Sequence, residues 1–215
     1  MKGLRGMIPL GMSSALFVFV LVAGALRMSP GLDARFFVQA AAVCAYLAWL
    51  VAESLLVSVR EASLPDARGD RGSCELYALA QGAVVILALL LPGTGGGVLT
   101  GAIGLALLVV GCGFRLGAIV TLGRFYSRRV RLLEDHRVVS TGPYRVVRHP
   151  AYLGTLVGHL GFALVFAHWA PLLAWAGLFV PMVVRRILIE EPCLFELAGY
   201  DEYARGRKRL VPRVW

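Results

Sequence analysis

The sequence predicts an all-α, polytopic membrane helix bundle with about six transmembrane helices and both termini cytoplasmic, and three observations carry that expectation. Mean hydropathy is +0.73, and 16% of the residues are charged, where a soluble domain carries nearer a quarter. The apolar residues fall in runs close to the ~20 residues that a spanning helix needs. The basic residues gather between alternate runs, as the positive-inside rule requires.

The runs lie at about 8–26, 36–59, 76–91, 98–122, 151–168 and 170–188. Lys2 and Arg5 precede the first, which resembles a signal peptide. Its length and the five runs behind it favour a retained first helix. Pro30-Gly31 closes the first run, Pro92-Gly93 closes the third, and Pro171 opens the sixth. The third and sixth runs are short, so these helices are expected to tilt little or sit off-centre. The Gly113-xxx-Gly117 and Gly154-xxx-Gly158 spacings predict close helix packing.

With the N-terminus inside, 19 of the 22 Lys and Arg residues fall on inner segments. Arg27 and Arg35 alone fall outside, and Arg115 lies within a span. The net charge of +9 therefore reads as a topology signal. Basic residues flank apolar runs instead of forming a stripe with interleaved aromatics, which argues against nucleic acid as a partner. The four cysteines show no CxxC or Cys/His spacing, so reduced thiols and no metal are expected. The chain divides into N-terminal transmembrane helices (1–122) and a catalytic region (123–215) with a cytoplasmic connector, a helical hairpin over 151–188 and a tail.

Glu53 and Arg115 each lie six or seven residues from the inner end of a span, and Gln81 sits at similar depth. Ionisable groups inside lipid normally face a partner or a cavity. Two readings stand: a structural ion pair tying two helices, or groups lining the inner mouth of a substrate site.

The connector, GRFYSRRVRLLEDHRVVSTGPYRVVRHP, is too polar to span. Ser140-Thr141-Gly142-Pro143 predicts a turn. Arg148-His149-Pro150 precedes the fifth helix, with proline where a first helical turn tolerates it. The unpaired N–H groups there suit a carboxylate or phosphate, although Arg and His at a membrane edge also snorkel to headgroups. At the inner end of the sixth helix, Arg186 and Glu190 share one helix face and Glu191 is turned about 100° away. The tail continues through Tyr200-x-x-Tyr203 to Arg209-Leu210-Val211-Pro212.

HRVVSTGPYRVVRHPAYLG, then a hairpin, then RILIEEPCLFELAGYDEYARGRKRLVP, resembles the isoprenylcysteine carboxyl methyltransferase family over about Gly113 to Pro212. The resemblance implies a membrane-embedded methyltransferase with S-adenosyl-L-methionine as cofactor and a lipid-like, prenylated acceptor. It assigns the cofactor to His136, Val138, Val139, Tyr144, Arg148, His149, Pro150, Ala151, Tyr152 and Glu190, with Glu191 and Tyr203 beside them. It assigns the substrate side to Arg186, with Arg186 and Glu190 as the catalytic pair; Arg115 and Glu53 are further candidate substrate contacts from their depth in the spans. An upstream cofactor contact falls on Arg129, where eukaryotic members carry glutamine. Leu188 and Ile189 likewise stand where those members have acids.

A carboxylate acceptor is ionised near pH 7 and needs no base. A phenolic or pyrone hydroxyl would need one, with His149 or Glu191 nearest. An amine headgroup, a sterol-type reductase with a nicotinamide site, and a non-catalytic transporter or scaffold are the other readings. No GxGxxG after a strand and no internal symmetry support the last two.

Overall fold

The computed structural model describes residues 2–27, 32–61, 72–93, 96–130, 132–133, 135–212 and 214–215, with side chains described from Ser13 onward except at 27 and 58–61. Pro30, Gly31, Arg68, Arg71, Gly95, Arg131 and Arg213, and the side chains of Lys2, Arg5, Arg27 and Arg60, lie outside the described residues.

Apolar periodicity makes the long elements. They are α1 (Lys2–Arg27), α2 (Ala34–Glu61), α3 (Ser73–Leu90), α4 (Val98–Leu122), α5 (Pro150–Phe166), α6 (Trp169–Ala174), α7 (Val180–Leu194) and α8 (Tyr200–Arg205). Among the described residues the nearest thing to a sheet is one isolated parallel bridge, Val147 to Lys208. Four helical stretches are long and apolar enough to cross a membrane: Ala34–Val57, Ser73–Leu90, Val98–Phe125 and Trp169–Leu194. Ser13–Leu26 and Pro150–Phe166 are shorter apolar helices. Large apolar side chains face outward along them, with Leu26 82% and Leu99 74% exposed. Such surfaces belong in hydrocarbon, not water. The protein is a multi-pass membrane protein.

The sixth segment corrects an expectation. It is not short: α6, a π-helical turn over Trp175–Phe179 and α7 make one continuous 26-residue rod. Hydropathy fades at Arg185 and Arg186, but the helix runs on and carries both arginines, Glu190 and Glu191 past the apolar section. The wide turn lies directly before Pro181. A proline inside a helix removes an N–H and crowds the carbonyl one turn earlier, and a π-turn accommodates such a defect.

Glycine packing departs from the expected spacing too. A β-carbon built on Gly113 or Gly117 meets nothing within 4 Å. The close approach is made by Gly104 and Gly111 of α4 against Gly154 and Gly161 of α5. A β-carbon at Gly111 would stand 2.3 Å from the Gly158 nitrogen, and one at Gly161 would stand 2.4 Å from the Leu108 nitrogen. Both pairs are seven residues apart, two helical turns, so the contact runs along the seam. Gly158 turns to Trp49 of α2 at 3.4 Å.

The core between α1, α2, α3, α4 and α5 is built on Tyr46, Trp49, Leu108, Phe162 and Phe166. Within it His159, fully buried, donates from Nδ1 to the Thr155 carbonyl at 2.8 Å and accepts from the Tyr46 hydroxyl at 3.1 Å. A second cluster joins α3, α5 and α7 through Tyr77, Leu156, Phe179 and Ile187.

Candidate active site

A cavity of about 470 Å³ opens between the transmembrane helices and the connector. The connector folds back at the expected turn, a 3-10 segment over Gly142–Arg145. Gly142 takes φ +55°, and a β-carbon there would press on Thr121 at 3.0 Å, so the turn needs glycine. The tail then zips onto the connector: the Arg148 and His149 amides donate to the Lys208 and Arg209 carbonyls at 2.9 Å each.

Of the residues singled out from the sequence, His136, Val138, Val139, Tyr144, Arg148, His149, Ala151, Tyr152, Arg186, Glu190 and Tyr203 line this cavity, as do Glu53, Arg115 and Arg129. Pro150 opens α5 as expected and is buried, outside the lining. Glu191 is outside it as well. Its carboxylate is buried and accepts from Arg148 at 2.8 Å, Arg209 at 2.7 Å and His149 at 3.4 Å. It clamps tail to connector from behind the cavity wall, and this arrangement assigns it an anchoring role instead of a cofactor contact.

Arg186 and Glu190 do not form a simple helical ion pair. The Tyr152 hydroxyl stands between them, accepting from Arg186 Nε at 2.9 Å and donating to Glu190 Oε2 at 2.6 Å. Arg186 also donates to Ser73 Oγ at 2.8 Å and to the Arg128 carbonyl. Three elements besides its own helix therefore aim this guanidinium.

Glu53 and Arg115 form the ion pair of one reading and line the cavity as in the other. Arg115 Nε and one terminal nitrogen each donate to Glu53 at 2.6 Å, and that nitrogen also reaches the Tyr126 hydroxyl at 3.0 Å. The other terminal nitrogen donates to Thr155 Oγ1 at 2.7 Å and the Ala151 carbonyl at 3.4 Å. All five N–H donors are thereby engaged. The guanidinium thus joins α2, α4, α5 and the connector while lining the cavity. Glu53 accepts from Trp49 Nε1 as well, at 3.1 Å, and lies 4.0 Å from Arg128. Arg129 pairs with Glu75 of α3 at 2.5 Å.

Several groups at the site carried no motif. Tyr77 lines the cavity with its ring 5.8 Å from the Arg186 guanidinium, and Tyr126, Thr155 and Tyr200 complete the surroundings. The Tyr200-x-x-Tyr203 spacing was the available signal for Tyr200. Tyr203 donates to the Tyr144 carbonyl at 3.0 Å. Burial pushes its phenol up to about 12 and raises those of Tyr126, Tyr144 and Tyr200 further. These tyrosines stay neutral donors at pH 7. Burial lowers His136 below its ordinary value of 6.5, with Glu190 and Asp135 opposing. Its ring stacks on Phe125 at 4.8 Å.

Among the described residues, four buried polar atoms of cavity-lining residues have no protein partner: Tyr77 Oη and, at the connector end, the trio His136 Nδ1, Arg148 Nε and Tyr200 Oη. Buried polar groups are ordinarily hydrogen-bonded, so the trio fits a ligand with several polar groups at the connector end.

Residues 103–196 match the isoprenylcysteine carboxyl methyltransferase (ICMT) family. The match begins ten residues before Gly113, inside α4, and stops short of the tail tyrosines. Protein-S-isoprenylcysteine O-methyltransferase B of Arabidopsis thaliana is 32% identical over 115 residues, 52% of this chain and 58% of that protein. The Schizosaccharomyces pombe protein-S-isoprenylcysteine O-methyltransferase is 31% identical over 108 residues, 49% of this chain and 45% of that one. The chain thus spans about half the length of the curated relatives it matches. A structure of the eukaryotic intramembrane Ras methyltransferase ICMT superimposes with a TM-score of 0.58 at 18% identity, covering 94% of this chain and 75% of that one. At that identity the likeness is one of fold. Over residues 103–196 the chain is similar to the isoprenylcysteine carboxyl methyltransferase family.

Proposed function

We propose that this chain is an integral membrane methyltransferase that uses S-adenosyl-L-methionine to esterify the carboxylate of an isoprenylcysteine or similar amphipathic acceptor. The observation that carries the reading is the cavity itself. One end is polar and gathers the family motif residues, while the other runs between apolar helices. A soluble cofactor and a lipid acceptor need such a two-ended chamber.

The polar end suits the cofactor. Its three unsatisfied atoms, on His136, Arg148 and Tyr200, offer hydrogen bonds, and Tyr144 and Tyr203 offer aromatic surface. Glu190 is the carboxylate to accept from an ammonium or ribose hydroxyl. When bound, S-adenosylmethionine supplies an electrophilic methyl group. The residues' share of the work is alignment and exclusion of water. Arg186 holds the acceptor carboxylate as a fixed cation that never needs to exchange a proton. Tyr152 locks it at a set distance from Glu190. The neutral tyrosines provide no base, and a carboxylate acceptor requires none.

We read the connector and tail as cytoplasmic, because they carry most of the basic residues. The Glu53–Arg115 junction then lies just below the inner interface and holds Tyr126 and the first turn of α5 against the cavity.

Methyl transfer from radiolabelled cofactor to S-farnesyl-N-acetylcysteine, with purified protein in detergent or vesicles, tests the proposal. Base-labile label in the acceptor is the expected result. Cofactor binding with no label in any acceptor, or base-stable label alone, rejects carboxyl methylation.

A further inference from the structure

The apolar end of the cavity runs between α1, α2 and α3, where Leu16, Phe19, Leu50, Leu79 and Ile86 line it. Gly82 of α3 belongs to the same wall, on one helix face with Ala78 and Ile86. It is buried. Yet a β-carbon built on it meets no atom within 4 Å.

That combination sets Gly82 apart from the other helical glycines among the described residues. Gly104, Gly111, Gly154 and Gly161 are held against neighbouring backbone, and Gly24, Gly101 and Gly158 meet side chains. Gly113, Gly117 and Gly177 also face open space, but they are exposed or half-buried on the outside of the bundle. No positive φ demands glycine at position 82, and no packing contact does either. Glycine in a helix interior is unfavourable, so what its missing side chain provides here is room inside the cavity.

The depth of that room is set by α3. Gly82 lies nine residues beyond Ser73, whose hydroxyl accepts from Arg186. At ~1.5 Å per residue it sits roughly 13 Å further into the membrane. A chain extending from an acceptor held at Arg186 passes this level only if it is long enough.

We propose that Gly82 is a specificity-determining position, a gap in the α3 wall that admits the distal part of a long acceptor chain. The inference rests on the acceptor reading given above. Filling the gap shortens the chamber without touching the polar end.

The test compares wild type, Gly82→Ala and Gly82→Leu on N-acetylcysteines bearing geranyl, farnesyl and geranylgeranyl chains. Calorimetry with S-adenosylhomocysteine on each variant reports whether the polar end is intact. The expected result is unchanged cofactor affinity, geranyl turnover within about twofold, and a fall of about tenfold or more in kcat/KM for the two longer chains with leucine, the scale of a misfitted apolar pocket. Alanine gives a smaller shift in the same order. Equal loss on all three chains, or no loss on any, in a leucine variant that binds cofactor normally overturns the assignment. If leucine prevents folding, alanine decides by the same criterion. A wild type that binds cofactor but methylates none of the three rejects the acceptor reading, and the assignment falls with it.

Discussion

The Tyr152 hydroxyl donates to Glu190 Oε2 at 2.6 Å, joining the first turn of α5 to the last turns of α7. Because the same oxygen accepts from Arg186, one phenol sets the spacing of the two groups given the cofactor and the acceptor. Tyr152→Phe keeps the ring and removes the link. Hydrogen bonds to charged groups contribute about 1.5–3 kcal/mol, so kcat/KM should fall roughly 10- to 100-fold. Steady-state kinetics on the purified variant checks this, and an unchanged rate would show that the bridge is incidental.

Arg186 and Glu190 should separate by ligand. Arg186→Ala is expected to abolish turnover and leave S-adenosylhomocysteine affinity largely intact. Glu190→Ala is expected to weaken that affinity by about tenfold, the loss of one charge-assisted contact. Calorimetry on both variants measures it; equal weakening in both rejects the division of roles.

The Glu53–Arg115 pair is a stability element. Its side chains are 14% and 7% exposed, and breaking a buried pair from one side costs about 3–5 kcal/mol. Arg115→Met or Glu53→Gln should therefore lower the thermal midpoint in detergent sharply. The double variant should recover part of the loss, since neither charge is left alone. Strict additivity would mean that the two residues do not act together.

Acid should loosen the polar end. His136 has its folded pKa held below 6.5 by burial, so below that value the unfolded chain binds the extra proton more readily. The contribution is intact above pH 6.5 and is lost as pH falls through 6.5 towards the folded value. Thermal midpoints measured from pH 7.5 down to 5.5 should decline. A His136→Phe variant, which keeps a ring against Phe125, should decline less. Parallel profiles would place the effect elsewhere.

Glycine substitutions on α4 should divide by position. Gly111→Ala drives a methyl into α5 backbone and should abolish the folded state or lower its midpoint severely. Gly113→Ala meets open space and should be neutral to within about 0.5 kcal/mol. Size-exclusion profiles and thermal unfolding of the two variants check the contrast.

The limits of α4 were legible because a long run broken by a single charge, Arg115, ends at Gly123, which takes φ +58° and closes the helix. The end of α7 was not. Its apolar signal stops at two arginines that the helix keeps because Ser73, Tyr152 and the Arg128 carbonyl receive one of them. The motif residues of the connector pointed to one chamber because they lie close together in sequence. Tyr77, Tyr126 and Thr155 did not, because what brings them to the site is pairing across distant helices. Arg115 and Glu53, for example, are 62 residues apart. The glycine seam was half legible: Gly154-xxx-Gly158 marked its α5 side, but the partners Gly104 and Gly111 lie seven residues apart, two full turns, instead of at the four-residue repeat looked for. Glu191 was read as a neighbour of Glu190, and the tail arginine that claims it comes 18 residues later.

The pairing of connector and tail also bears on how the protein is made. Arg148 and His149 take their backbone partners from Lys208 and Arg209, which leave the ribosome after every helix of the bundle. The translocon therefore has α1 to α7 in hand before the polar chamber can close. A nascent chain halted before residue 208 would be inserted with its polar chamber still open. Closure of the polar chamber thus comes after synthesis of the helices that wall it, and reports that they are all in place.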